Sequence, residues 1–267
     1  MSAPEAKRQR TQPPYELLYH PGIPGRGEYI RLVLEAAGTP YSEPAREKGK
    51  AGYDAVLATC SPTGTGDADG NPPVFAPPAL RVPGAGKDGR ALVISQTPNI
   101  LQYLAPKVGL APADEADALH ANQIVLTALD LSNETHDSHH PIAVSLYYED
   151  QKDAAKQRAK DFRENRIPKF FSYFERSLKG NEESGGGKYL VGDKLSHADT
   201  TFWQVIDGLL FAFPKELEAR KGEFPLIFGK FYPGIKEEKG LKEYLASDRR
   251  LKYSQGLYRH YPELDRE

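Results

Sequence analysis

The stretch Tyr15-Glu-Leu-Leu-Tyr19-His-Pro-Gly-Ile-Pro-Gly25-Arg-Gly-Glu-Tyr-Ile30-Arg-Leu-Val-Leu-Glu35-Ala-Ala-Gly38 decides the fold of this chain. Its first five residues predict a strand, which ends at a turn rich in proline and glycine. From Arg26 to Ala37 apolar residues recur at helical spacing, and Gly38 is a typical helix stop. Thr39 to Glu43 favour a second strand. The opening is therefore β-α-β, which implies a parallel pair of strands with a right-handed crossover.

The residues up to 108 complete a predicted α/β domain. A helix around 53–58 is followed by a loop over 61–73, rich in glycine, proline and aspartate. Two strands, over 74–82 and 91–94, form a predicted hairpin. Thr97 suits the N-cap of the next helix, because Pro98 then occupies its first position. The order β-α-β-α-β-β-α over residues 14–108 is thioredoxin-like.

Residues 113–267 carry no strand pattern and predict an all-helical second domain. Its long helical segments are expected at 114–135 and 150–178, with a flexible loop at 182–187 and a final helix after Pro233. Ser196 and Asp199 have the spacing of a capping box that opens a buried helix. At the other end of the chain, residues 1–13 predict a disordered tail, whose Lys7, Arg8 and Arg10 leave a nuclear signal as the alternative.

Composition excludes several functional classes. Charged residues make up 27% of the 267 residues and the net charge is -2, so nothing indicates a nucleic-acid or acidic-membrane partner. Cys60 is the single cysteine, which excludes an intramolecular disulfide and suits a reducing compartment. No apolar run approaches the ~20 residues of a membrane span, and the start lacks a signal-peptide core. We therefore expect a soluble cytoplasmic protein.

Tyr19 is the candidate catalytic residue. A thioredoxin-like domain usually presents a Cys-x-x-Cys after its first strand, but that region contains no cysteine. The strand ends instead at a tyrosine, whose phenol can donate a hydrogen bond to a thiolate. Lowering the pKa of a thiol from ~8.5 by about two units needs ~3 kcal/mol, and one hydrogen bond to a charged acceptor supplies roughly 1.5–3 kcal/mol. The alternative is an ordinary strand tyrosine in a half-buried sheet.

Several motifs together resemble one enzyme family. Residues 15–19 and 25–31 resemble the start of the tyrosine-type glutathione transferases, closest to the sigma and mu classes. Residues 75–80 are similar to their cis-proline strand, 93–97 to their Gln-Ser motif with Thr for Ser, and 195–199 to their capping box. Residues 136–141 and 257–262 resemble fungal members. The resemblance extends from about Tyr15 to Pro262 and implies a homodimeric enzyme that uses glutathione as co-substrate.

The resemblance also implies roles for individual residues. Tyr19 would hydrogen-bond the glutathione sulfur and Arg26 would lie near the thiolate. Gln96 and Thr97 would bind the γ-glutamyl end, and Asp130 would reach the γ-glutamyl amine of the neighbouring subunit. The implied glutathione-binding set is Tyr19, Arg26, Tyr53 (beside the glycyl end), Pro77, Pro78 (the cis-proline), Gln96, Thr97 and Asp130. The reaction would be conjugation of the thiolate to electrophilic, largely apolar substrates. Glutathione-dependent isomerisation and a catalytically silent glutathione- or protein-binding relative are the alternatives.

The sequence departs from the family pattern at Pro77. The residue before the cis-proline normally both donates and accepts a backbone hydrogen bond, and Pro77 has no N–H. We expect weaker glutathione binding by one hydrogen bond, ~0.5–1.5 kcal/mol or about 2–12-fold. A shifted register, with cis-Pro77 and Ala76 as the donor, is the alternative. The turn between Tyr19 and Glu28 is also one residue longer than in the sigma pattern. This shifts the match between Arg26 and the arginine of that class.

The second-substrate pocket is expected between the domains, lined by His20, Ile23, Pro24, His136 and His140. The cluster of His136, Asp137, His139 and His140 also raises the possibility of a metal site, since His136 and His140 are four residues apart, a spacing that can chelate zinc on a helix. Pro141 should end that helix, however, and histidines suit a helix C-terminus electrostatically. A helix end, a pocket wall and a metal site are thus the three interpretations, and we expect no metal.

Overall fold

The computed structural model describes residues 14–267, so the predicted tail of residues 1–13 lies outside it. Its sheet contains β1 (Glu16–Leu18), β2 (Ala79–Val82) and β3 (Leu92–Ser95) in the order β1-β2-β3. Both pairs are antiparallel, with Leu18 opposite Ala79 and Ala79 opposite Ser95. The predicted hairpin is therefore confirmed.

Two predicted strands are shorter than expected, and prolines explain both. The strand over 39–43 is a single parallel bridge, in which Ser42 exchanges backbone hydrogen bonds with Leu17 and Tyr15 (2.8 and 3.0 Å). Pro40 has no N–H and Pro44 starts a helix, so the bridge cannot extend. The strand over 74–82 is ordered as a ladder only from Ala79, because the chain before it contains prolines at 72, 73, 77 and 78.

The helices of the α/β part surround this sheet. They are α1 (Gly27–Ala36), α2 (Pro44–Glu47), α3 (Gly49–Thr59) and α4 (Thr97–Lys107), with a 3-10 turn at Lys87–Gly89. α1 is buried along nearly its whole length, since it packs against α4 on one side and against the helical part on the other. One prediction here was wrong: the N-cap of α4 is Gln96, one residue before Thr97.

The second part is all-helical. Its α-helices are α5 (Glu115–Asp137), α6 (Lys152–Asp161), α7 (Ile167–Gly180), α8 (Glu182–Gly185), α9 (His197–Ala212), α10 (Pro214–Arg220), α11 (Tyr232–Lys236) and α12 (Lys239–Leu245). Short 3-10 segments lie at Tyr148–Asp150, Lys221–Glu223 and Pro262–Leu264, and π segments at Phe162–Arg166 and Ile227–Phe231. The fold is thus a thioredoxin-like α/β part followed by an all-helical part.

Three helical expectations need correction. The single helix predicted over 150–178 is divided by the π segment, because Pro168 cannot donate to the helical ladder. The predicted loop over 182–187 begins with α8 and then turns through Gly186 and Gly187 at positive φ. Helix α10 was not predicted. Asp265 accepts hydrogen bonds from the backbone N–H groups of Lys215 and Glu216, at the start of this helix, and a contact over about 50 residues cannot be predicted from local sequence patterns.

Helix α9 is the centre of the helical part. The predicted capping box is present: Asp199 accepts a hydrogen bond from the Ser196 backbone N–H at 2.8 Å. Asp199 also accepts from the Leu190 N–H at 2.8 Å, so this carboxyl group joins the start of α9 to the preceding loop. Its role is structural, as expected.

The two parts share one apolar core through α1. Tyr29 of α1 donates to Ser132 of α5 at 2.9 Å, and its hydroxyl also bonds that of Tyr258 at 2.8 Å. The predicted domain division between residues 108 and 113 stays a prediction. Within residues 14–267, every helix is too short or too polar to cross a bilayer.

Candidate functional site

The register of the sheet brings three predicted site residues to one edge. Leu18, Ala79 and Ser95 are paired across the three strands. Because both pairs are antiparallel, the residues beyond them on the same edge are Tyr19, Pro78 and Gln96. Residues separated by up to 77 positions in the chain thus meet where β1 ends.

A glycine-rich turn holds the ring of Tyr19. The backbone N–H of Arg26 donates to the Tyr19 hydroxyl at 2.8 Å. A Cβ atom on Gly25 would lie 2.2 Å from that hydroxyl, and one on Gly27 would lie 2.6 Å from the ring. Gly25 also has φ of 45°, which favours glycine. The segment from Gly25 to Gly27 can therefore wrap the ring only because both flanking residues lack side chains.

The Tyr19 phenol keeps its proton at neutral pH. Burial raises its pKa above the ordinary value of 10, although the Arg26 N–H and the charges of Arg31 and Arg26 oppose the rise. The side chain is only 6% exposed. Since the Arg26 N–H occupies an acceptor position of the oxygen, the hydroxyl proton remains available for donation to an anion.

His20 and Tyr53 lie next to Tyr19. The His20 ring contacts the Tyr19 ring edge-on, with centroids 5.0 Å apart. Its Nδ1 is 2.9 Å from the Tyr53 hydroxyl, which ties the turn to α3. Burial lowers the pKa of His20, so it is a neutral wall of the site. Tyr53 is half-buried and already bonded to His20.

Gln96 and Thr97 form the second element of the site, at the N-terminus of α4. Gln96 is exposed and has φ of 70° without being glycine, a conformation that costs about 1–3 kcal/mol. Thr97 is buried, yet its Oγ1 has no hydrogen-bond partner among the described residues. A helix N-terminus with free N–H groups favours an anion. The strained backbone of Gln96 and the unpaired hydroxyl of Thr97 together indicate a candidate ligand position at this helix N-terminus.

The peptide bond between Pro77 and Pro78 is cis, and the alternative with cis-Pro77 is not observed. Pro78 is buried and precedes the central strand, whereas Pro77 is half-buried. Pro77 thus leads into β2 beside the Tyr19 edge, with a carbonyl but no N–H to offer there.

Arg26 connects this edge to α5. Its guanidinium donates to Asn133 at 2.8 Å. Asp130, one turn before Asn133, is exposed, and no ion pair involves it within residues 14–267. Its predicted role toward a neighbouring subunit stays a prediction.

The predicted pocket residues take different positions. Pro24 is buried, and its carbonyl accepts a hydrogen bond from Arg31 at 3.1 Å, so it belongs to the structure of the turn. Ile23 is half-buried and faces Gly256, since a Cβ there would lie 3.5 Å from Ile23 Cδ1. The C-terminal segment therefore packs against the turn that follows Tyr19.

His136 lies in the last turn of α5, and His139 and His140 lie in the turn that follows this helix. The three rings are neighbours, with His136 and His140 stacked at 5.0 Å. Burial lowers the pKa of His136 to about 4 and that of His139 to about 3, and it also lowers that of His140. All three imidazoles are thus neutral at pH 7.

Three residues of this region were missing from the predicted site: Gly25, Gly27 and Asn133. Gly25 and Gly27 were quoted only as part of a motif, although two glycines that flank one arginine after a strand tyrosine signal a close backbone approach. His139 belonged to the predicted histidine cluster, although not to the predicted pocket wall. Asn133 carried no signal, because its contact with Arg26 spans 107 residues.

Comparisons with known proteins agree on one family. A family model described as "Glutathione S-transferase, C-terminal domain" matches residues 136–248. Human glutathione S-transferase A4 is 30% identical over 230 residues, covering 83% of this chain and 90% of that protein. Glutathione S-transferase P 1 of Xenopus laevis is 29% identical over 240 residues, covering 90% of this chain and 95% of that protein.

Solved structures show the same fold. The Pi-class glutathione S-transferase of Onchocerca volvulus matches with a TM-score of 0.61 and 22% identity, covering 87% of this chain and 92% of that one. Prostaglandin synthase D of Nilaparvata lugens matches with a TM-score of 0.58 and 21% identity, covering 88% and 98%.

Proposed function

Because this chain belongs to the glutathione S-transferase family, we propose that it is an active transferase in which Tyr19 stabilises the thiolate of glutathione. The thiolate would attack an electrophilic, largely apolar substrate and form a carbon–sulfur bond. We assign it to the tyrosine-type, sigma- or mu-like group, as the motifs around Tyr19 and Gln96 suggest. Its single free cysteine, Cys60, supports a reducing compartment such as the cytoplasm.

The observation that carries this proposal is the state of the Tyr19 hydroxyl. Its oxygen accepts the Arg26 N–H at 2.8 Å, and its raised pKa keeps the proton in place. A phenol held in this way can donate to a thiolate without reorganising first. One such bond supplies roughly 1.5–3 kcal/mol, enough for most of the required drop in thiol pKa.

The buried hydroxyl of Thr97 supports glutathione as the co-substrate. Oγ1 lies at the first turn of an 11-residue helix and has no hydrogen-bond partner within residues 14–267. An α-carboxylate of the γ-glutamyl end would supply that partner and would also benefit from the free N–H groups. Gln96 and Thr97 would therefore bind one end of the tripeptide, and Tyr19 the sulfur.

We further infer a homodimer. Phe75 is 90% exposed, although an aromatic ring of this size is normally covered. A cavity of about 330 Å³ between α5 and α7, lined by Phe170 and Tyr173 together with Arg166, Lys169 and Arg176, offers aromatic and cationic surfaces against which such a ring from a second copy can pack. Phe75→Asp should give monomers in sedimentation, whereas Tyr147→Asp, at another exposed aromatic residue, should not. Dimers in both variants would contradict this assignment.

The function is tested by conjugation of glutathione to a generic aromatic electrophile. We expect wild-type turnover, and a loss of about 10-fold or more in Tyr19→Phe. Tyr189→Phe is the matched control, because its hydroxyl bonds Glu238 at 2.8 Å rather than a cleft residue. Binding to immobilised glutathione without turnover in the wild type would instead identify a catalytically silent relative.

A further inference from the structure

The turn after α5 brings three histidine rings into one cluster. Helix α5 ends at Asp137, and the backbone N–H of His139 bonds the carbonyl of His136 at 3.2 Å, which folds the chain back. The ring centroids are then 4.9, 5.0 and 4.8 Å apart. Each ring offers a nitrogen that lies within 4.8 Å of one in both others.

These separations match the geometry of a three-histidine metal site. A Zn–N bond is ~2.0–2.1 Å, so the centre of a ligating imidazole lies roughly 3.2 Å from the metal. With tetrahedral angles, two such centres are roughly 5.2 Å apart. The observed 4.8–5.0 Å is within a few tenths of this value. The nitrogens themselves are within 4.8 Å of one another, whereas those of a tetrahedral zinc site are roughly 3.3 Å apart, so the rings must turn for the nitrogens to converge.

His139 already has the tautomer that a ligand needs. Its Nε2 lies 3.3 Å from the carbonyl oxygen of Leu257, which can only accept, so Nε2 carries the proton. Nδ1 is therefore the unprotonated nitrogen, with a free lone pair. That atom is buried, has no partner among the described residues, and belongs to a side chain only 1% exposed. A buried imidazole nitrogen without a partner needs an explanation.

The other two rings also have outer partners. His136 Nδ1 faces the Asp137 carboxylate at 3.9 Å, a long contact that favours a proton on this nitrogen. Gln151 Nε2 donates a hydrogen bond to His140 Nδ1 at 3.2 Å, and the Leu146 carbonyl also faces the ring, so His140 binds a metal only after the Gln151 amide turns away. Ligating histidines usually have a carboxylate or carbonyl behind them, as His136 and His139 do here, which fixes ring orientation.

We propose that His136, His139 and His140 bind one divalent transition-metal ion, of which Zn²⁺ is the probe of choice. Three imidazoles and no thiolate suit zinc, copper, nickel or cobalt. Three protein ligands also leave one coordination position for water. Asp137 and Glu149 favour a cation here, whereas Arg259 and Arg26 oppose it. A helix-end role alone does not explain why Nδ1 of His139 is buried without a partner.

The test is titration of the tag-free, chelator-treated full chain with Zn²⁺ alone, followed by calorimetry, and with Co²⁺, followed by its visible absorption. We expect one equivalent of metal and a tetrahedral Co²⁺ spectrum. His136→Gln and His140→Gln should each weaken binding by at least about 10-fold. His136 is partly exposed, so its substitution should leave the fold intact, which circular dichroism checks.

Two control variants distinguish this site from unrelated binding. His120→Ala removes an exposed histidine on the same helix, with its side chain 64% exposed, and Cys60→Ser removes the free thiol. Neither should change the stoichiometry or the affinity. Absence of binding in the wild type, or binding that survives both cluster variants, would overturn the proposal. Tyr19→Phe should bind metal normally, so the outcome is independent of glutathione turnover.

Discussion

Two groups of buried polar atoms in this protein differ in one respect. Beneath the Tyr19 turn, the charges of Glu28, Arg31 and Arg250 are all paired. Thr97 Oγ1 and His139 Nδ1 are also buried but have no partner in the described chain, as is the case for Arg81 Nε and Arg259 Nε. The difference separates two roles: the paired charges hold the structure, whereas the unpaired Thr97 and His139 atoms are where the ligands proposed above would supply a partner.

The paired group acts directly on the site. Arg31 is fully buried and donates to Glu43 at 2.7 Å, to Glu28 at 3.0 Å and to the Pro24 carbonyl at 3.1 Å. Its guanidinium also lies 5.8 Å from the centre of the Tyr19 ring. The ion pairs thus fix the turn that holds Tyr19, and the largest effect should come from breaking them.

Glu28→Gln should give the largest loss of stability. Glu28 is fully buried, pairs with Arg31 and Arg250, and accepts from Tyr244 at 2.7 Å. Removing its charge leaves Arg31 with Glu43 and Arg250 with Asp207 as their remaining carboxylates, and the loss of the shared buried partner costs up to about 3–5 kcal/mol. Urea unfolding at pH 7 measures this loss. Glu218→Gln is the control, since its exposed pair with Lys221 should contribute under about 1 kcal/mol. Equal losses of stability in Glu28→Gln and Glu218→Gln would show that the buried ion pairs of Glu28 contribute no more than an exposed pair.

The same residue predicts a pH dependence. Burial alone would raise the pKa of Glu28, but Arg250 and Arg31 outweigh burial and hold the pKa below its usual value. A depressed carboxyl pKa adds stability above the unfolded value of ~4.3, and this is lost as the pH falls through the folded value. The stability gap between wild type and Glu28→Gln should therefore narrow below about pH 4. A constant gap would contradict the assignment.

Gly27→Ala should reduce turnover next most, by about 100-fold, because its Cβ would lie 2.6 Å from the Tyr19 ring and displace it. Gly22→Ala, in the same turn, is the control, since nothing lies within 4 Å of its Cβ position. Conjugation kinetics measure both. Wild-type turnover in Gly27→Ala would mean that the ring position is not critical.

Thr97→Val tests the unpaired hydroxyl. Glutathione affinity should fall about 10-fold, while the free energy of unfolding stays unchanged or rises, because the Thr97 hydroxyl makes no hydrogen bond to any residue that the structure describes. Thr201→Val should do the reverse: its hydroxyl donates to the His197 carbonyl at 2.7 Å inside α9. Calorimetry and urea unfolding of both variants reveal whether the two threonines differ in this way.

Pro77→Val should have the smallest effect of these substitutions, and it should strengthen glutathione binding rather than weaken it. The new backbone N–H offers glutathione one more hydrogen bond, so binding should tighten about 2–12-fold. Calorimetric titration with glutathione measures the change. An unchanged or weaker affinity would refute the idea that Pro77 limits binding.

Local signals in the sequence predicted much of the fold and part of the candidate site. The periodicity of α1, the cap of α9 and the hairpin were all predictable, because each depends on residues a few positions apart. The prediction was wrong where proline interrupts a pattern, as at 39–43 and 74–78, and where a distant residue caps a helix, as Asp265 does for α10.

The rest of the site needed tertiary structure. Nothing in the sequence pairs Arg26 with Asn133, or Tyr29 with Tyr258, across 107 and 229 residues. The His136–His140 spacing was visible, but the partner of His139 is a backbone carbonyl of Leu257, which has no sequence signal. Whether a buried polar atom has a partner also depends on residues far apart in the chain, so the sequence alone does not reveal the unpaired atoms.

The segment at Leu257 and Tyr258 also bears on how the protein is made. Tyr29 emerges from the ribosome early, but the phenol that it bonds is translated 229 residues later. The Tyr258 ring also occupies the space over Gly208, where a Cβ would lie 2.5 Å from it. The core under the cleft therefore stays incomplete during most of translation, and final closure must follow synthesis of this segment.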